Sequence, residues 1–325
     1  MSASVAADVR EGGAWTPRQR LKNDALHALV RAALAVARRA PRALVALLCR
    51  ALGLLAWALL ARERGLVRAR LAAGLGHAVP ERRVRAVFLA AGDVLADTLA
   101  LLDPRERAGR TMTMDAASHA VFRDALAEGR GVVYIAAHLG PWERMAALLV
   151  EEGFPVATVA RESYDPRFTA LYERLRAPRG VRSIYRGRPG AATSIVRELR
   201  AGRAVGFLID LPSRVRSIDA PLFGVEARVA VGAARIALAR AAAIVVGTPV
   251  PSDTKGRLRL LVERVPTGDL APGPMREARL TARLARVLEA RIAAHPEAWL
   301  GLFAPARPRD AEPTAPQLRC HDDPR

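Results

Sequence analysis

Residues 131–153 read GVVYIAAHLGPWERMAALLVEEG, and three kinds of local order follow one another within them. Gly131–Ala137 is a short apolar run rich in β-branched and aromatic residues, as in a strand buried on both faces. His138-Leu-Gly-Pro-Trp-Glu143 carries a tight Gly-Pro turn, and the residues after it have the apolar spacing of a helix. The same alternation recurs downstream. Apolar runs at 155–160, 203–209 and 243–248 are further expected strands. The stretch 257–265 alternates basic and apolar residues, as an edge strand with one wet face does. Helices are expected near 143–152, 165–177, 190–201 and 230–242, with a long one at 276–294. Strand and helix in alternation predict an α/β fold, a mostly parallel sheet flanked by helices.

Upstream of Gly131 the pattern changes. Residues 43–61 read ALVALLCRALGLLAWALLA, nineteen residues with one charge, Arg50. Arginines flank the run on both sides, at 38, 39 and 42 and at 62, 64 and 68. Its length is near the minimum for a spanning helix, and a mid-helix Arg costs about 2.5–3.5 kcal/mol on insertion scales, which the leucines offset. A span, an in-plane helix and a buried core helix all fit that composition. The first two make an N-terminal helical membrane-associating segment, and no removable signal peptide is read. Residues 66–102 continue as amphipathic helix. The expected organisation is a loose N-terminus (1–20), a helical region (21–110), an α/β domain (111–304) and a proline-rich disordered tail (305–325).

The 325 residues are enough for one large domain or two small ones. Net charge is +19, and of 51 basic residues only Lys22 and Lys255 are lysines, so 49 are arginine. Arginine at that density makes any single one weak evidence, but the summed field attracts acidic partners. Aromatics at 5% leave few stacking platforms, and no finger, RNP-like or zipper pattern occurs. A membrane surface and an acidic partner are expected, and no nucleic acid. Cys49 and Cys320 are the only cysteines. They argue for a reducing compartment and against a disulfide framework. His27, His77, His119, His295 and His321 lack ligand-spaced neighbours, so no metal and no cofactor is expected. The Gly-rich stretch 187–194 lacks the lysine and spacing of a P-loop.

Chemistry concentrates at the first turn. His138 falls at the carboxyl end of a strand and the mouth of a helix, where open α/β sheets bind ligands. Glu143, in the first helical turn, is close enough to fold back on the imidazole, fix its tautomer and free the other nitrogen as a general base. Backbone N–H groups around Leu139 and Gly140 are candidate oxyanion donors. A histidine that only bonds a turn, beside a glutamate answering the helix dipole, gives the same pattern. Arg161 and Asp210 also follow strands, so in a parallel sheet they share a rim with His138. Arg161 suits a phosphate or carboxylate, and Asp210 a hydroxyl or an arginine. Arg174, Arg176 and Arg186 fit a solvated face equally well.

The string AAHLGPWE resembles the His-x4-acid signature of the lysophospholipid acyltransferase superfamily, and in its flanks the lipid A late acyltransferase branch. Agreement continues in order through Arg161 in ARESYDP, Arg174 and Arg176 in YERLRAPRG, and Asp210 after VGFLI. It extends to Phe223-Gly224 in PLFGVEARVAVGAARIAL and to Pro296-Glu297 with Trp299. The resemblance covers roughly residues 40–300. It implies an O-acyltransferase in which His138 deprotonates a lipid hydroxyl that attacks an acyl thioester, with Glu143 as its partner and no acyl-enzyme. It also implies acyl carrier protein or acyl-CoA as donor, a glycolipid or phospholipid acceptor, and residence at the cytoplasmic face of the inner membrane. Substrate contacts are expected from Leu139, Gly140, Arg161, Arg174, Asp210, Phe223 and Gly224. Pro141 stands where the family often has Asn, and Leu211-Pro212 follows Asp210 where the branch places polar residues, so the acceptor stays open. A non-catalytic basic protein that binds lipid or nucleic acid is the alternative from another class.

Overall fold

The run after Gly131 forms β2 (Val132–Ala136), all five residues of which are buried. Val133 and Ile135 enter one apolar core, while Val132, Tyr134 and Ala136 enter another. That division follows from the period of two along a strand with both faces covered. Each fully buried Val or Ile contributes about 1.5–3 kcal/mol relative to exposure. The computed structural model describes residues 13–212, 215–254 and 256–304.

Seven strands form the main sheet in the order β1-β9-β8-β2-β5-β3-β4. They are β1 (Met112–Met114), β2, β3 (Val156–Arg161), β4 (Arg182–Arg186), β5 (Ala204–Leu208), β8 (Ala243–Pro251) and β9 (Leu258–Arg264). Every pairing is parallel except β8 with β9. A separate hairpin joins β6 (Ser217–Leu222) to β7 (Val225–Ala230). The fold is α/β with a mostly parallel mixed sheet. One core is covered by α3 (Ala61–Leu75), α4 (Glu81–Ala100), α8 (Ala191–Arg200), α9 (Gly232–Arg240) and α10 (Arg276–Ala294). The other is covered by α5 (Ala116–Ala127), α6 (Trp142–Glu151) and α7 (Pro166–Arg176).

Two helices precede these, α1 (Pro17–Ala37) and α2 (Arg42–Leu59). The apolar run at 43–61 is thus helical almost throughout. α1 begins inside the stretch read as loose: Thr16 and Gln19 close a capping box over its first turn. Residues 1–12 and the tail 305–325 lie outside the described residues. The edge assignment for 257–265 is corrected, because the three residues of β1 pair outside β9. β9 alternates because Leu260 and Val262 enter a core while Arg259 and Arg264 face water.

Candidate active site

β2, β5 and β3 are adjacent and parallel, so their carboxyl ends carry His138, Asp210 and Arg161 to one rim. Beyond β2 the chain turns through Gly140, at φ 60°, and Pro141 starts α6. The imidazole of His138 is partly exposed, and its Nδ1 lies 2.9 Å from Oδ1 of Asp210. Oδ2 of Asp210 accepts the His138 backbone N–H at 2.9 Å and the Trp299 indole N–H at 2.8 Å. A carboxylate only accepts hydrogen bonds, so its contact with the ring favours the tautomer that carries the proton on Nδ1. Nε2 is left as the basic nitrogen. Trp142 meets the ring edge-on, with centroids 4.9 Å apart.

The carboxylate that fixes this tautomer is therefore Asp210, not Glu143. Five residues on from His138, the buried Glu143 instead accepts two hydrogen bonds from Arg176, at 2.8 Å from Nε and 2.5 Å from Nη2. Such a planar two-point match holds both groups in one geometry. Burial works against the Arg176 charge, but the bonded glutamate outweighs it and keeps the guanidinium above the ordinary arginine range. Burial, and then the Glu143 charge, raise the neighbouring Tyr172 hydroxyl.

His138, Trp142, Glu143 and Arg176 face a cavity of about 670 Å³, with a wall that is mostly apolar. Residues from both faces of the sheet line it, among them Met145, Leu149, Val156, Phe207 and Ile236. Arg161 and Arg186 also line it, side by side at the ends of β3 and β4. Burial, and then the neighbouring Arg161, lower the Arg186 guanidinium from its usual value. Two cations set together at a cavity wall attract a phosphate or carboxylate.

Five other expected contacts fall outside this cavity. Leu139 packs into the core, and the Gly140 N–H donates to the Ala298 carbonyl at 2.9 Å, so it is not an oxyanion donor. The Leu300 N–H donates to the His138 carbonyl at 2.9 Å, which ties the turn after β2 to the segment after α10. Arg174 points to solvent on α7, away from the side that carries Arg176. Phe223 and Gly224 form the β6–β7 turn, at φ 51° and 72°. A side chain at Gly224 would collide with the backbone of Ala73 on α3, so glycine is required there. The buried Phe223 ring packs on Gly74 and stands edge-on to Trp299 at 5.6 Å. This turn braces Trp299, which holds Asp210, which holds His138.

Arg144 escaped the sequence reading. It is buried one residue past Glu143 and donates to Asp97, Glu106 and the carbonyls of Arg107 and Ala108. The only sequence signal is an arginine within an otherwise apolar helix face. Arg176 was visible as a basic helix end, but nothing in its spacing named Glu143 as its partner.

The sequence model of the bacterial lipid A biosynthesis acyltransferases matches residues 16–304. The chain belongs to that family. The match takes in both α1–α2 and the whole sheet, so the N-terminal helices are part of the family unit. No curated protein matches the chain. Family membership makes it an acyltransferase, with an acyl donor and a lipid acceptor, in a membrane-associated family.

Proposed function

We propose that the chain moves a fatty acyl group from an acyl carrier protein or coenzyme A thioester onto a hydroxyl of a membrane glycolipid or phospholipid. The observation that carries this reading is His138, held by Asp210 and lining a large, mostly apolar cavity. Nε2 takes the proton of the acceptor hydroxyl as its oxygen attacks the thioester carbonyl carbon. The tetrahedral adduct collapses, the C–S bond breaks, and the departing thiolate takes the proton back from Nε2. An ester and a free thiol result, with His138 returned to its starting state. Glu143 and Arg176 supply a fixed polar wall beside the reacting groups. Arg161 and Arg186 are suited to a phosphate of the donor or acceptor. Acyl carrier proteins are acidic and coenzyme A is polyanionic, so a chain of charge +19 favours either donor.

The test offers labelled acyl carrier protein and acyl-CoA, with extracted membrane lipids, to wild type and His138→Ala. A labelled lipid made only by the wild type supports the reading, and its mass gives the acceptor class. Product from His138→Ala at the wild-type rate sinks the mechanism. No product from folded wild type across a broad acceptor panel favours a non-catalytic basic lipid-binding protein.

A further inference from the structure

Of the seventeen large hydrophobic side chains left exposed among the described residues, twelve lie between Leu21 and Leu60. They belong to α1, α2 and the residue that ends α2. The two faces of α2 differ sharply. Cys49, Gly53, Ala56 and Trp57, at helical spacing, are turned inward. Leu44, Leu47, Leu48, Leu52, Leu55 and Leu59 are exposed on the rest of the circumference.

The inward face rests on α4 with the two backbones in contact. A Cβ on Gly53 would run into the Phe88 carbonyl, and one on Gly92 would stand 2.5 Å from the Cys49 carbonyl oxygen. At the rim of that seam, Arg50 pairs with both oxygens of Asp93, at 2.8 and 2.6 Å. α4 is in turn fixed to the catalytic body. Asp97 bonds the buried Arg144, Arg83 pairs with Glu297, and Phe88 stands edge-on to Phe303 at 5.0 Å. A helix that crosses a bilayer needs hydrocarbon or other spanning helices on every side. One side of α2 is covered by a helix that carries Arg82, Arg85 and Asp93 and is anchored to the α/β domain.

We infer that α2 lies in the plane of a membrane leaflet, with its leucine face in the acyl region and the catalytic body above it. The partner is a bilayer with anionic headgroups. Exposed Arg38 and Arg39 before α2, and Arg62 after it, fall at headgroup level, and the net charge of +19 complements that surface. α1, on which Leu21, Leu26, Leu29 and Val36 are also exposed, reaches a helix of the cavity wall. It packs on α7 through His27 against Phe168, and Arg167 of α7 pairs with Asp24 at 2.7 Å. α7 contributes Thr169, Tyr172 and Arg176 to the cavity wall. An acceptor diffusing in the leaflet therefore meets the cavity without leaving the surface. The membrane as partner rests on the proposed function; the in-plane orientation rests on the α2–α4 seam.

The test uses the full chain with Cys49→Ala and Cys320→Ala, and a nitroxide at a single cysteine replacing Leu44, Leu48, Leu52, Leu55 or Leu59. The vesicles are phosphatidylethanolamine with phosphatidylglycerol. Collision with oxygen against a water-soluble nickel complex gives the depth of each label. The expected result is one shallow depth for all five, about 5–10 Å below the headgroup boundary. Depths that rise to a maximum near residue 52 and fall again by residue 59 mean a crossing helix and overturn the inference. Labels shielded from lipid, with spin–spin broadening, mean that a second copy covers the face, which also overturns it. As an independent check, Leu48→Glu with Leu52→Glu should cut vesicle partition by at least about tenfold with the thermal melt unchanged. Unchanged partition counts against the inference. Neither readout needs turnover, so uniform depths without acyl transfer would remove the proposed function and leave the orientation standing.

Discussion

His138 is held at four points, by Asp210 at Nδ1, by the same carboxylate at its backbone N–H, by the Leu300 N–H at its carbonyl, and by the edge of Trp142. Asp210→Asn keeps the size but replaces an acceptor-only group with one that also donates. An amide N–H aimed at Nδ1 selects the other tautomer and places the proton on Nε2, where the base is needed. We expect turnover to fall by roughly 10²–10⁴-fold with the fold retained, read from initial rates beside a thermal melt; wild-type rates in this variant would make Asp210 a packing residue. The Glu143–Arg176 pair fails differently. Arg176→Met leaves a buried carboxylate unpaired and should destabilise the chain by about 3–5 kcal/mol in urea unfolding. A change below about 1 kcal/mol would mean that water replaces the arginine. His138 was legible because strand, turn and helix follow directly in the chain. Its true partner was not, because Asp210 lies 72 residues away and only the adjacency of β2 and β5 unites them. Nearness in sequence favoured Glu143, yet α6 turns that side chain toward α7.

At the scale of elements, the apolar runs that became β2, β3, β5 and β8 could be read directly, since strands in the middle of a sheet covered on both faces are mostly apolar. The elements that escaped are polar or short. β4 (RSIYR) is an edge strand with an exposed Arg182, and β1 is three residues long. In β6 and β7, charged Asp219, Glu226 and Arg228 interrupt the apolar pattern, so the PLFG stretch resembled a substrate turn rather than the tip of a hairpin. Its Phe223 holds a left-handed backbone that costs a non-glycine residue about 1–2 kcal/mol, offset by burial of the ring. Phe223→Ala should cost about 3–5 kcal/mol in stability. It should also slow turnover, because Trp299 loses its support against Asp210. Destabilisation with kcat intact would confine the hairpin to packing. Gly53→Val tests the seam between α2 and α4 in the same way. The added carbons have no space beside the Phe88 carbonyl, so thermal stability should fall, whereas a valine at the unobstructed Gly65 should leave it within about 0.5 kcal/mol.

For the molecule as a whole, the charge of +19 and the leucine-rich face of α1–α2 act over different distances. The charge is spread through the chain, so its field extends beyond any one element and is screened over about 10 Å at 0.1 M salt. Burial of leucine has a range of contact only and persists in salt. Association with anionic vesicles should therefore divide into two parts. Raising sodium chloride from about 0.05 to 0.5 M should remove the part that depends on phosphatidylglycerol content and leave a plateau. That plateau should be the same on neutral phosphatidylcholine vesicles and should vanish with Leu48→Glu and Leu52→Glu. The variant should still bind anionic vesicles at low salt, because it changes the net charge only from +19 to +17. Sedimentation with vesicles across a salt series measures both parts. If binding falls to nothing at high salt in the wild type, the leucine face does not enter the bilayer and charge alone brings this acyltransferase to its lipid. If instead binding ignores salt throughout, the arginines serve the acidic donor rather than the membrane, and acyl transfer should then lose its rate with salt while vesicle binding holds.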